Sequence, residues 1–485
     1  MSELPVTYPL KEKPIREFRL SSAFALAFSD VSPIVGLYSV FEIGIVAAGP
    51  AFFWALPVVL LGQLLVTGVF GELVSRWPFQ GSVYAWSTRL IGPRYGWITN
   101  WAYMWGLTMA LSAVALAAAQ FLAAALGFNS PSSIALQLLA LAVLVAGSFA
   151  NLIGPKLLKG LLYVAIVAEL VASLGIGAAL LFFHRVQPVS VLLSGAGTAH
   201  GTHWLFGPFL LVVAFAGFSF LGFESAGSIA EEVKEARQVL PRAITLSLLA
   251  AGVLVMFAAL GVILAVPNLG AVLSGKESNP IATTLTADLG AGAAKALLVV
   301  LAIGFTSSMI AVQTAVTRAI WASARDKLIP GSKFLGRLSG PDNLPRYAIG
   351  LTAVVAGALL FISTSSVYAL LLSFATQGFF VSYALPIVAA VYVRIKGTWS
   401  PGPRSLGRWS SPVTYAAAVW ILFETVNVSW PRALTNIWYL NWGVLIMTGV
   451  LGALGWILMT YIFRANGPAA ERAELAPTEL ETETL

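Results

Sequence analysis

Apolar residues run along this chain in long blocks, separated by shorter polar stretches rich in Lys, Arg, Gly and Pro. Twelve such blocks stand out, at 21–47, 52–73, 97–126, 133–153, 157–183, 205–230, 240–266, 292–324, 344–363, 366–393, 413–429 and 438–463. Most exceed the roughly 20 apolar residues that a helix needs to cross a bilayer core. The pattern lacks the alternation of a closed barrel, so it predicts an all-α membrane protein with twelve transmembrane helices.

Two blocks carry polar and helix-weakening residues at mid-membrane depth. The first reads SAFALAFSDVSPIVGLYSVF, with Asp30, Ser32, Pro33 and Gly36 together; the sixth reads FAGFSFLGFESAG, with Gly217, Ser219, Gly222, Glu224 and Gly227. Pro33 lacks an amide donor and disfavours helix at the residue before it, and the glycines weaken helix on either side. Each block is predicted to be a broken helix. Freed backbone groups cost several kcal/mol each in hydrocarbon, so such breaks persist only inside protein or beside a wet cavity.

Composition agrees. The 485 residues are 58% hydrophobic and 10% charged, which excludes an ordinary soluble domain. Twenty-three of the 28 Lys and Arg residues fall on one side of the twelve-helix arrangement and four on the other. Basic residues near membrane ends stay in the cytoplasm, so both termini are expected there, and the net charge of +7 needs no nucleic acid partner. The first apolar block is too long for a cleaved signal sequence. Residues 465–485 form a polar, Glu-rich tail expected to be disordered. Zero cysteines exclude disulfides and thiol chemistry, and His184, His200 and His203 share one outer loop where no metal site is expected.

Segments one to five and six to ten each begin with a broken helix, the pattern of an inverted five-helix repeat. Five crossings per copy make the second run opposite to the first, so two half-helix N-termini meet near the midplane. Their amides suit a carboxylate, and the opposing carbonyls suit an ammonium. The division expected is a cytoplasmic segment at 1–20, a transport core at 21–393 built of repeats 21–183 and 205–393, helices eleven and twelve at 394–464, and the tail.

Four patches resemble the amino acid, polyamine and organocation permease superfamily, and within it the amino acid/choline branch that includes GABA permeases. They are SPIVGLYSVF followed by AAGP at 47–50, GELVSRWPFQGSVYAW at 71–86, GFSFLGFESAGSIAEEVKEARQVLPRAI at 217–244, and ASARDKLIP at 322–330. The resemblance implies a LeuT-like fold with a 5+5 inverted repeat and broken helices 1 and 6. The charged stretch from Glu231 to Arg242 reads either as an ordinary inner loop held by local ion pairs or, the preferred expectation, as a gate. Helix rocking in such a fold must make and break cytoplasmic contacts, and weak surface pairs exchange readily.

Substrate contacts are expected from Ser32, Pro33, Ile34, Val35 and Gly36 and from Phe218, Ser219, Phe220, Leu221 and Gly222, because breaks expose backbone groups whatever the side chains. Phe218 and Tyr103 match site-lining aromatics of the arginine/agmatine antiporter branch. Asp30 can pair with a substrate ammonium, hold Na⁺ or cap amides. The resemblance gives a glutamate at Glu224 a proton-sensing role in some relatives. Glu169 stands where many proton-coupled relatives have a lysine that reaches the first helix; this departure leaves Glu169 as the substitute proton carrier, since a carboxyl can take up and release a proton. Glu42 and Glu424 receive no role. Thr306, Ser307 and Ser308 are candidate sodium ligands, although membrane hydroxyls commonly bond their own backbone.

These residues predict a secondary active transporter of the inner or plasma membrane that moves amino acids or related small amines without a cofactor. Proton coupling leads and sodium is the alternative; a choline- or polyamine-type organocation transporter or an exchanger is the second reading. No GxxxxGK[ST] motif is present, and no nucleophile with its base suggests an enzyme. A channel is the remaining rival.

Overall fold

The computed structural model describes residues 18–466 apart from 129–130, 154, 199–200, 275, 278, 341–342, 363–366 and 433–436. Most of the expected N-terminal segment and acidic tail, and His200, lie outside the described residues. Within them the regular structure is helical, with isolated bridges joining Phe18 to Val233 and Ser339 to Leu344. Ten of the described helices, the broken ones counted whole, are long and apolar enough to cross a membrane. Of the twelve expected segments, the ninth is a shorter apolar helix at Arg346–Phe361, and the eleventh is Ser410–Ser429, whose hydroxyl groups and Glu424 dilute its hydropathy.

The expected breaks are present. The first apolar block is a helix at Leu20–Val31, a single residue, Ser32, at φ 47°, and a short helix at Pro33–Tyr38. Pro33 sits at the first position of that second piece, where its missing amide costs nothing. The sixth block runs from Leu210–Ala216 through a 3₁₀ turn at Gly217–Phe220 and extended Leu221 to Ser225–Ser228. Gly222 takes φ +93°, a region that side chains with a Cβ rarely enter.

Two irregularities have no announcing proline or polar cluster. A π-helical turn at Leu170–Gly175 follows Pro155–Glu169 directly, and the 46-residue helix Pro280–Arg325 kinks where Gly290 leaves helical geometry.

Helix Pro93–Ala125 lies at the centre, packed against Pro280–Arg325 and Val367–Ile395. Gly106 and Gly378 let two of these backbones touch: a Cβ on Gly378 would lie 2.5 Å from the Gly106 Cα. Helix Ser133–Ile153 is fastened to Pro280–Arg325 by polar groups. Asn151 Nδ2 donates to Gln313 Oε1 at 2.9 Å, Gln313 Nε2 to Ser148 Oγ at 2.8 Å, and Thr314 Oγ1 to Asn151 Oδ1 at 2.9 Å. Away from water such groups must satisfy one another. The outward faces are apolar, with Phe149, Val354, Val419 and Trp456 each more than half exposed. That is the exterior of a multi-pass integral membrane protein.

Candidate substrate site

The break in the first helix is closed by its own side chains. Ser32 Oγ accepts the Val35 amide at 3.1 Å, and the Ser32 carbonyl accepts the Gly36 amide at 2.7 Å. Glu169, 1% exposed, reaches across from its helix: its Oε2 accepts the Ile34 amide at 2.7 Å, and its Oε1 accepts the Ser32 hydroxyl. Tyr38 adds a second tie to the same neighbour, donating to the Ala172 carbonyl at 3.1 Å within the π-helical turn. A carboxylate at a helix N-terminus is favoured both by the orphan amides and by the dipole end.

The two breaks touch. Ser219 Oγ donates to the Gly36 carbonyl, and a Cβ on Gly36 would stand 2.8 Å from the Ser219 carbonyl oxygen. Asp30 faces Gly222, whose added Cβ would lie 2.9 Å from the Asp30 Cγ. Asp30 is 6% exposed, and its Oδ2 accepts no hydrogen bond from a described group. The Ser225 hydroxyl is set toward this carboxyl without completing a bond.

Glu224, fully buried, accepts the Tyr103 hydroxyl at 2.7 Å on Oε1 and the Tyr383 hydroxyl on Oε2. Tyr383 Oη also accepts the Gly222 amide at 3.2 Å. Glu224 stands at the N-cap of Ser225–Ser228 without a side-chain capping bond; its carboxylate instead bridges two tyrosines on neighbouring helices.

A cavity of about 1580 Å³ opens beside the breaks, with Tyr38, Phe121 and Phe215 in its lining and Glu42 and Tyr368 higher in its wall. It stops short of Ser32–Gly36 and Phe218–Gly222, which are buried. At the face that carries Phe18 the bundle is shut. Phe18 donates to the Glu232 carbonyl at 3.0 Å and accepts from the Lys234 amide at 2.9 Å. Arg318 Nε meets Glu232 at 3.2 Å, Arg325 Nη1 meets Glu231 at 3.8 Å, and the Gln80 side chain donates to Glu232 at 3.1 Å.

A profile described as amino acid permease matches residues 18–451, nearly the whole chain. This chain belongs to the amino acid permease family. Its members are transporters, not enzymes. The permease is 26% identical over 465 residues to an uncharacterized amino-acid permease of Schizosaccharomyces pombe, covering 90% of this chain and 82% of the relative. It is 24% identical to amino-acid permease BAT1 of Arabidopsis thaliana, over 87% of each chain. It is also 24% identical to the thiamine transporter thi9 of S. pombe, over 90% of this chain and 81% of that protein.

In this permease Asp30, Ser32 to Gly36 and Phe218 to Gly222 come together as the two breaks, with Glu169 on the first and Glu224 beside the second. Tyr103 arrives through its bond to Glu224. Thr306 Oγ1 donates to its own helix at Ala302, whereas Ser308 Oγ points to the Asp30 carbonyl at 3.5 Å. Sequence reasoning missed Tyr383, which looks like one more aromatic in an apolar helix. It also missed Glu72 and Arg394, a 2.6 Å ion pair between side chains 2% and 3% exposed, because their partners are 322 positions apart.

Proposed function

We propose that this permease is a proton-coupled secondary active transporter of amino acids or related small amines, working by alternating access around the paired breaks. The observation that carries the reading is the Glu169 carboxylate seated on the Ile34 amide and the Ser32 hydroxyl. An ionised carboxylate makes charge-assisted bonds there, and proton uptake removes that assistance, loosening the short helix Pro33–Tyr38 from its neighbour. A proton thereby acts on the element that lines the substrate site.

The arrangement proposed is a LeuT-like bundle of two inverted five-helix repeats, 21–183 and 205–393, with two further helices at 394–464 and both termini in the cytoplasm of an inner or plasma membrane. In that orientation the Phe18 face is cytoplasmic and shut by Glu231, Glu232, Arg318 and Arg325, while the cavity opens outward. These pairs are half-buried rather than sealed in the core, so water can reach and replace them during rocking. Sodium held near Asp30 and Ser308 is the alternative coupling ion.

Vesicles reconstituted with the Glu169→Gln variant test the reading. The variant should still exchange labelled for unlabelled substrate, since exchange moves no net proton, and should lose accumulation driven by an imposed pH gradient. Accumulation equal to wild type would remove Glu169 as the carrier; loss of exchange as well would make it a structural or substrate-binding group.

A further inference from the structure

We propose that the substrate of this permease is an organic cation without a carboxylate, seated on Asp30, rather than a zwitterionic amino acid. The inference rests on the reading of the paired breaks as the transport site and narrows what they accept.

The argument starts from the backbone donors of the first break. A free substrate carboxylate would seek the first amides of the short helix Pro33–Tyr38, and all of them are spoken for. Pro33 has none. The Ile34 amide donates to Glu169 Oε2 at 2.7 Å, the Val35 amide to Ser32 Oγ at 3.1 Å, and the Gly36 amide to the Ser32 carbonyl at 2.7 Å. At the second break the Gly222 amide donates to Tyr383 Oη. Glu169 thus occupies, as part of the protein, the position that a substrate carboxylate would take.

The charge balance at the site points the same way. Asp30, Glu169 and Glu224 are all buried around the breaks, and among the described residues no Lys, Arg or His forms an ion pair with any of them. Glu169 and Glu224 are each held by two donors. Asp30 differs: its Oδ2 is buried and without a partner, it faces the second break across Gly222, and the Ser225 hydroxyl beside it is likewise unpaired. A buried carboxylate oxygen without a donor is costly, and an ammonium or another organic cation relieves it. The approach suits the same ligand, for Glu42, Tyr38, Phe121 and Tyr368 line the cavity above, and aromatic faces attract cations. Arg432 also lines that cavity, with its guanidinium hydrogen-bonded to the Asn427 carbonyl at 2.7 Å, and the two carboxylates Glu42 and Glu277 in the same lining outweigh its charge.

The test is a set of matched ligands that differ by a carboxylate, measured on purified full-length protein by thermal stabilisation and calorimetric titration: agmatine against arginine, choline against glycine betaine, and phenethylamine against phenylalanine. At least one carboxylate-free member should bind tenfold or more tighter than its partner, with no pair reversed. Asp30→Asn should weaken that binding at least tenfold while the protein remains monodisperse and its ligand-free melting temperature is retained. Glu169→Ala, which empties the seat, should narrow the preference. In wild type, equal or tighter binding of a carboxylated member, or binding of none of the six, would overturn the proposal, whatever the variants do. Saturable counterflow of a labelled amino acid in vesicles would sink the cation assignment and leave the transporter reading intact; absence of saturable counterflow for every probe would sink both.

Discussion

Glu169 and Ile34 lie 135 positions apart in the chain and meet in a 2.7 Å hydrogen bond at the break of the first helix. Glu169→Ala leaves the Ile34 amide and the Ser32 hydroxyl without this partner, at a cost of about 1–3 kcal/mol. Glu169→Gln keeps an acceptor and should cost distinctly less. Thermal melting of both variants in one detergent decides; equal destabilisation would show that the hydrogen bond to Ile34 is not what the side chain contributes.

Closeness of the two breaks leaves no room for a methyl group on either side. A Cβ at Gly222 would meet Asp30 Cγ at 2.9 Å with the backbone at φ +93°, and one at Gly36 would meet the Ser219 carbonyl oxygen at 2.8 Å. Gly222→Ala and Gly36→Ala should each lower uptake at least tenfold while the protein still elutes as a single species. Uptake within twofold of wild type in both would remove the contact between the breaks from the transport site.

Tyr383 serves Glu224 as donor and Gly222 as acceptor, whereas Tyr103 serves Glu224 alone. Tyr383→Phe should therefore destabilise more than Tyr103→Phe, by about 1–3 kcal/mol against the lower end of that range. The double variant should depart from additivity by about 0.5–3 kcal/mol, because both hydroxyls share one carboxylate. Strict additivity would mean the two bonds are independent.

At the shut face, Glu232 accepts from both Arg318 and the Gln80 side chain. Glu232→Ala should shift the permease toward states open on that side. The chain has no cysteine, so a single Ala226→Cys label, at a fully buried position, reports access without background. Modification should speed up severalfold in the Glu232→Ala background, and an unchanged rate would deny Glu232 a role in closure.

A different outcome is expected at Glu72. Its carboxylate accepts from Arg394 at 2.6 Å, Ser410 at 2.7 Å, Ser405 at 2.9 Å and the Leu406 amide at 2.8 Å, pinning the 396–409 stretch to the bundle. Glu72→Ala strands a buried guanidinium and should cost about 3–5 kcal/mol. The loss should appear as a lower melting temperature, with ligand affinity in the surviving folded fraction unchanged; altered affinity would tie Glu72 to the site.

Much of this was legible in the residues themselves. Ser32, Pro33 and Gly36 announce the first break, and Gly217 and Gly222 the second, because proline and glycine act on the backbone locally and need no partner to be read. Glu169 was noticeable as a carboxylate in an apolar run. Tyr383 gave no such sign, since a tyrosine that bridges Glu224 and Gly222 and one that fills a core look identical in sequence. Local sequence also gave no warning of the π-helical turn after Glu169, where no proline or polar cluster marks the irregularity.

The order of apolar blocks by itself determined that the chain is a helical membrane protein with helices interrupted at Ser32 and near Gly222, because bilayer thickness and backbone hydrogen bonding constrain each segment separately. Only the tertiary structure decided that Glu169 takes the Ile34 amide at the first break and that Asp30 is left with an unpaired oxygen. Those outcomes depend on which helices lie side by side, and a hydrogen bond a few ångströms long between residues more than a hundred positions apart leaves no trace in local periodicity.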